Sequence, residues 1–307
     1  MIGILGSGFG LYGYVPALID VFGEDILLPK QYKDKFYSRE EVKIYNDRIC
    51  WVDNKKNLLK MATGLVIAMQ PMEQEYWISQ ALGVNNINLL FLEKPLSRSP
   101  ESSYKILNKL KVSKKKFRIG YNFIFTEWGK KIRNEIIKID NNDQLIINWT
   151  FMAHHYIYDI KVWKRYSIEG GGIIRFYGIH LIALLSEMGY VNVKLSKSYG
   201  PSKNEINRWN AVLSGHNLPN CSIFLDSRSI SERFSFESMS NNVSNTIFSL
   251  KTPFSLERID QHSDARVPVL SNLCKSIKYE YEYNKYADVN DLWKKIEIAD
   301  FFQERIV

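Results

Sequence analysis

The sequence predicts an α/β chain in two parts: a doubly wound, Rossmann-type parallel-sheet domain over residues 1–120, then an α+β domain with a large, mostly antiparallel sheet over residues 121–307. Three observations predict it. A length of 307 residues exceeds what one compact core usually fills. The first half alternates short apolar runs with helix-like segments, the signature of successive βαβ units. From Leu145 onward the texture changes to alternating runs of apolar and polar residues, as in an antiparallel sheet with one face on a core.

The elements follow in order. Strands are expected at Ile2–Leu5, Ile26–Leu28, Ile49–Val52, Gly64–Ala68, Leu89–Leu92 and Phe117–Gly120. Helices are expected at Gly13–Phe22, Lys55–Met61, Glu73–Leu82 and Pro100–Leu110. Ser99 can cap the last of these, and Pro100 suits a first helical position, where no amide hydrogen is needed. In the second half, alternation marks strands at Leu145–Phe151, Val191–Lys197, Trp209–Ser214, Ser222–Asp226, Arg233–Glu237 and Thr246–Leu250. Helices are expected near Trp128–Ile137 and Ile173–Glu187, with a last amphipathic helix over 289–304 that can pack back on the first domain. Trp209, Phe224, Phe234 and Phe236 suggest a broad aromatic sheet face suited to self-association, hence a homo-oligomer.

The net charge of +8 favours anionic partners such as phosphates. The lysines from Lys109 to Lys116 read as a solvated helix end rather than a nucleic-acid patch, so no nucleic acid is expected. No apolar run reaches the roughly 18 residues of a membrane span, and a cytoplasmic protein is expected. Cys50, Cys221 and Cys274 are too few and too scattered for a disulfide framework or a zinc site. His154 and His155 are adjacent, which on a strand sends them to opposite faces, so no metal is expected there. His216 and His262 read as loop residues.

Gly6-Ser7-Gly8-Phe9-Gly10-Leu11 joins the first strand to the first helix, where free amide hydrogens and the helix dipole can hold a pyrophosphate. The third glycine of G-x-G-x-x-G falls on Leu11, with Gly10 and Gly13 on either side. At the end of the second strand, where a carboxylate usually meets the ribose of NAD, the chain has Pro29 and Lys30, with Lys33 close by. That is compatible with an ordinary charged loop or with NADP.

Four segments in order resemble the Gfo/Idh/MocA oxidoreductases. They are the glycine turn leading to Val15-Pro16-Ala17-Leu18; Ala68-Met69-Gln70-Pro71 after the fourth strand; Glu93-Lys94-Pro95; and Gly170-Gly171-Gly172 leading toward His180. Gly120-Tyr121-Asn122 adds a fifth point at the domain crossing. The resemblance implies an NAD- or NADP-dependent enzyme acting on a secondary alcohol or ketone of a sugar, nucleotide-linked sugar or cyclitol. It implies cofactor contacts from Gly6, Ser7, Gly8, Phe9, Gly10, Leu11, Lys30, Ala68, Gln70, Pro71, Glu93 and Lys94. Lys94 and His180 would be the acid–base pair, and a cis peptide is expected before Pro95. Tyr121, Asn122, His155, Trp163, Lys164, Phe176, Tyr177 and His180 would face the substrate. One departure stands out: the family's frequent aspartate four residues before the histidine is Phe176 here. With Leu11 and the missing strand-two acid, it fits a second class as well, a catalytically silent regulatory protein of the same fold that binds a nucleotide or sugar.

Overall fold

Six short apolar runs build the first sheet: β1 (Ile2–Leu5), β2 (Ile26–Pro29), β3 (Ile49–Val52), β4 (Gly64–Ile67), β5 (Leu89–Leu92) and β6 (Lys116–Ile119). All neighbours are parallel, in the order β3-β2-β1-β4-β5-β6. β1, β2 and β4 are buried throughout, which is why they read as continuous apolar runs rather than alternating ones. The strand order reverses between β1 and β4, and the carboxyl ends there form the crevice where open α/β sheets bind ligands.

In this computed structural model, which describes residues 1–255, 264–279 and 283–305, the chain divides into two compact units. The first comprises residues 1–97, 105–125 and 256–281, and the second 98–104, 126–255 and 282–307. His262 lies outside the described residues.

Helices of the first unit connect its strands. A π-helical turn, Gly10–Tyr14, precedes α1 (Val15–Phe22), where one regular helix was expected. Short α2 (Lys33–Tyr37) and α3 (Glu40–Lys43) follow β2. α4 (Lys55–Met61) is capped by Asn54, whose side chain accepts from the Asn57 amide at 2.9 Å. α5 (Pro71–Leu82) opens on a proline, and α6 (Pro100–Ser113) opens with Ser99 Oγ accepting from the Ser102 amide at 3.3 Å.

The second unit carries α7 (Glu127–Ile136), β7 (Gln144–Met152), α8 (His154–Ile157), α9 (Ile179–Glu187), β8 (Tyr190–Gly200), β9 (Arg208–Gly215), β10 (Asn220–Asp226), β11 (Arg228–Ser240) and β12 (Val243–Leu250). α10 (Val267–Ser276) belongs to the first unit, while α11 (Tyr283–Ala299) and β13 (Asp300–Glu304) finish the second. The second sheet runs β12-β11-β7-β10-β9-β8-β13, antiparallel except for β7 with β10 and β8 with β13. The expected terminal helix is thus a helix followed by an edge strand. Gln303 and Glu304, polar and far from any apolar stripe, align with Tyr199 and Gly200 instead.

The inner sheet face carries Leu145, Ile147, Trp149, Trp209, Leu213, Ile223, Leu225, Phe234 and Phe236, all buried. Trp128 of α7 covers part of it, its ring 4.9 Å from Phe234 and 5.8 Å from Phe236. This corrects the expected self-association face: Trp209, Phe234 and Phe236 are core, and Phe224 points to the other side with Arg208, whose guanidinium lies 5.4 Å from its ring. Alternation alone could not tell which face the chain's own helices would cover. His154 and His155 sit on α8 rather than on a strand. Among the described residues no helix is long and apolar enough to cross a membrane, and no group of three or more His, Cys, Asp or Glu could hold a metal.

α10 completes the core of the first unit. Its Leu270, Leu273 and Cys274, together with Ile277 after it, pack in one cluster with Leu11, Tyr14, Val15 and Leu18.

Candidate functional site

In the first unit the glycine turn rests on the end of β4. Gly6 has φ +140°, and a Cβ there would lie 2.3 Å from the Ala68 carbonyl oxygen, so only glycine fits. At Gly8 a Cβ would meet nothing within 4 Å, leaving open space above the turn. A strand, a turn with open space over it and a helix start at the switch point fit a dinucleotide's pyrophosphate. Ser7 and Phe9 are half-exposed on this turn, and Gly10 is buried beneath it. The Leu11 side chain is fully buried in the core, so only its backbone could face a ligand. Gln70 precedes Pro71 at the start of α5, on the other side of the crevice.

Tyr32, after β2, reaches back to the turn: its hydroxyl accepts from the Gly6 amide at 3.1 Å, and burial pushes its pKa up to about 12. Lys35 Nζ lies 3.1 Å from Ser7 Oγ. Lys30 is paired with Asp53 at 2.5 Å, which holds that carboxyl below its usual range.

At the end of β5, Glu93, half-buried Lys94 and Pro95 form a tight turn with a cis Lys94–Pro95 bond, as expected. Burial raises the Glu93 carboxyl's pKa, against the opposing pull of Lys94, the Tyr14 hydroxyl and Arg266. Tyr14 donates to Glu93 Oε1 at 2.8 Å. A Cβ on Gly120 would lie 2.7 Å from that same oxygen, so the glycine after β6 leaves the carboxylate its room. The sequence reading missed Gln74. Buried on α5, it donates from Nε2 to the carbonyls of Glu93 (2.6 Å), Pro95 (3.1 Å) and Leu96 (3.2 Å), fixing the turn that aims Lys94. A glutamine in an otherwise apolar helical stripe was the available signal. Tyr121 and Asn122 are buried beyond β6.

In the second unit, Gly170 (φ +90°) and Gly172 (φ +78°) turn the chain into a π-helical segment, Ile173–Gly178, which runs into α9 with buried His180 in its first turn. The expected regular helix from Ile173 therefore begins one residue per turn wider, and residues four apart no longer stack on one face. Phe176 and Tyr177 project from this segment into a chain of rings. Trp163 lies 5.2 Å from Phe176, Phe176 4.8 Å from Tyr177, Phe151 4.8 Å from Tyr177, and His155 6.3 Å from Tyr177. Lys164 Nζ sits 5.3 Å over Phe176, a cation–π contact. Burial first, then the charges of Lys164, Arg165 and His154, pull the His155 pKa down to about 4, so it is neutral at physiological pH. Five predicted substrate residues, His155, Trp163, Lys164, Phe176 and Tyr177, thus belong to one wall. Arg165 is a brace rather than a ligand: it holds Asp159 at 2.7 Å and Glu205 at 2.8 Å.

No protein-family model matches the chain, and no curated protein does. Solved structures do. A 3-ketoreductase from Actinomadura kijaniata in complex with NADP and TDP-benzene shares 10% identity at a TM-score of 0.72, covering 99% of each chain. A myo-inositol dehydrogenase from Corynebacterium glutamicum shares 14% at 0.69, over 97% of this chain and 96% of that one. The WlbA dehydrogenase from Thermus thermophilus, in complex with NAD and UDP-GlcNAcA, shares 10% at 0.69, over 99% and 96%. The chain shares the fold of these reductases and dehydrogenases over 97–99% of its length.

Proposed function

We propose that the chain is an NAD(P)-dependent oxidoreductase that moves a hydride to or from a secondary alcohol or ketone of a sugar, nucleotide-linked sugar or cyclitol. The observation that carries this reading is the Gly6–Gly10 turn, seated on Ala68 at the switch point of the parallel sheet. When bound, the nicotinamide ring supplies or accepts the hydride, two electrons with one proton. Gly6, Ser7, Gly8, Phe9 and Gly10 would hold its pyrophosphate, with Gln70 and Pro71 across the crevice. Lys94, clamped through Gln74, and His180 take or return the substrate's hydroxyl proton, so that charge does not build on the oxygen as the hydride leaves the carbon. The wall of Trp163, Phe176 and Tyr177 presents aromatic faces to a sugar ring or an acyl group, with Lys164 above it for an anionic one. Tyr121, Asn122 and His155 complete the proposed substrate contacts. A homo-oligomer and a cytoplasmic location belong to the same proposal.

Titration with NADH and NADPH tests it. At least one should quench tryptophan fluorescence and raise the melting temperature, and a panel of nucleotide-linked sugars, free sugars and cyclitols should then show turnover at 340 nm. Folded protein that responds to neither dinucleotide would overturn the reading.

A further inference from the structure

The segment after β2 is tied to the glycine turn at two points. Tyr32 Oη takes the Gly6 amide, and Lys35 Nζ reaches Ser7 Oγ, each at 3.1 Å. Tyr32 is buried and Lys35 is exposed, so a rigid anchor positions a solvent-facing ammonium over the first side chain of the turn. In a β–α–β unit whose glycine turn holds the pyrophosphate, the adenosine ribose lies next to that side chain, at the carboxyl end of the second strand. An acid there binds the free 2′-hydroxyl of NAD, and a cation accepts the 2′-phosphate of NADP.

Here the strand ends in Pro29 and Lys30, and the Asp53 carboxylate is already neutralised by Lys30 at 2.5 Å. Lys33 is turned away over the Trp51 ring at 5.4 Å, which leaves Lys35 as the lysine on the turn itself.

Resting on the proposed dinucleotide chemistry, we propose that Lys35, with Ser7, reads the 2′-phosphate, so that the protein selects NADP over NAD. Lys30 acts beside it by cancelling the Asp53 charge that would otherwise repel that phosphate. A charge-assisted contact of this kind is worth about 10- to 100-fold in affinity.

The experiment measures dissociation constants for NADPH and NADH by tryptophan fluorescence, and for 2′-phospho-ADP-ribose against ADP-ribose by calorimetry. The parent and the Lys35→Ala, Lys35→Glu and Lys33→Ala variants are compared. The parent should bind NADPH at least about 10-fold tighter than NADH. Lys35→Ala should remove most of that preference by weakening NADPH alone, Lys35→Glu should reverse it, and Lys33→Ala should leave it in place. Equal binding of both dinucleotides, a preference for NADH, or a Lys35→Ala variant with unchanged discrimination would overturn the assignment while leaving the oxidoreductase reading intact. Binding of neither dinucleotide would overturn both.

Discussion

The two units hold their candidate residues by different means. In the first, each one sits at or just past a strand end: Gly6 after β1, Lys30 after β2, Ala68 after β4 and Lys94 after β5. Backbone hydrogen bonds of the sheet place them, and Gln74 and Tyr14 lock the last. In the second, Trp163, Phe176, Tyr177, Phe151 and His155 come from a 3₁₀ turn, a π-helical turn, a strand and a four-residue helix, and ring packing connects them. A chemistry shared by many substrates can rest on a sheet edge. A surface that must fit one substrate rests on side chains whose packing changes with each substitution.

Removing the proposed acid–base pair, one residue from each unit, should have the largest effect. Lys94→Met and His180→Asn should each lower turnover by roughly 10²–10⁴-fold while leaving dinucleotide affinity close to the parent's. Stopped-flow or steady-state rates on the identified substrate check this, and parent rates in both variants would remove the two residues from the reaction. Next, Gln74→Leu strands three buried carbonyls and should destabilise the fold by about 1–3 kcal/mol in urea titrations. It should also lower kcat more than it raises KM, whereas a purely structural glutamine would leave turnover by the folded fraction unchanged.

Sharpening the contrast needs changes to the ring wall. Phe176→Asp removes edge contacts to Trp163 and Tyr177 and should cost about 1–2 kcal/mol. If the wall sets specificity, it should shift activity toward substrates with a free hydroxyl at that position, and an unchanged substrate ranking would count against the wall. The smallest effect concerns His155. Its pKa in the folded protein is about 4, against the ordinary 6.5, so the unfolded chain binds more protons between those values. The neutral ring's contribution to stability is therefore complete above about pH 6.5 and declines as pH falls toward 4. His155→Phe should flatten the fall of the urea midpoint across that window, and parallel curves for parent and variant would show that another group titrates there.

Much of the first unit was legible in the sequence because its information is local. Continuous apolar runs gave the strands, and the glycines between β1 and α1 gave the turn. What escaped was held by distant contacts. Nothing near Gln74 announces that it spans from α5 to three carbonyls after β5, nor does anything near Lys35 announce Ser7. In the second unit the alternating strands were legible, but not which face would be covered. Trp209, Phe234 and Phe236 look equally suited to a partner surface or a core until α7 is placed over them. The π-helical turn at Ile173–Gly178 was invisible because its residues have ordinary helical character.

α10 sets the order in which this protein can be finished as it is made. Leu270, Leu273 and Cys274 pack in one cluster with residues of α1, so the first unit lacks part of its interior until this later segment has been made. Strands β7 to β12, formed by residues in between, can pair while the first unit still presents Val15 and Leu18 to solvent or to a chaperone. A message truncated between residues 126 and 264 would therefore yield a chain that carries every glycine of the turn and still exposes a sticky flank. A late segment thus acts as the seal on the first helix.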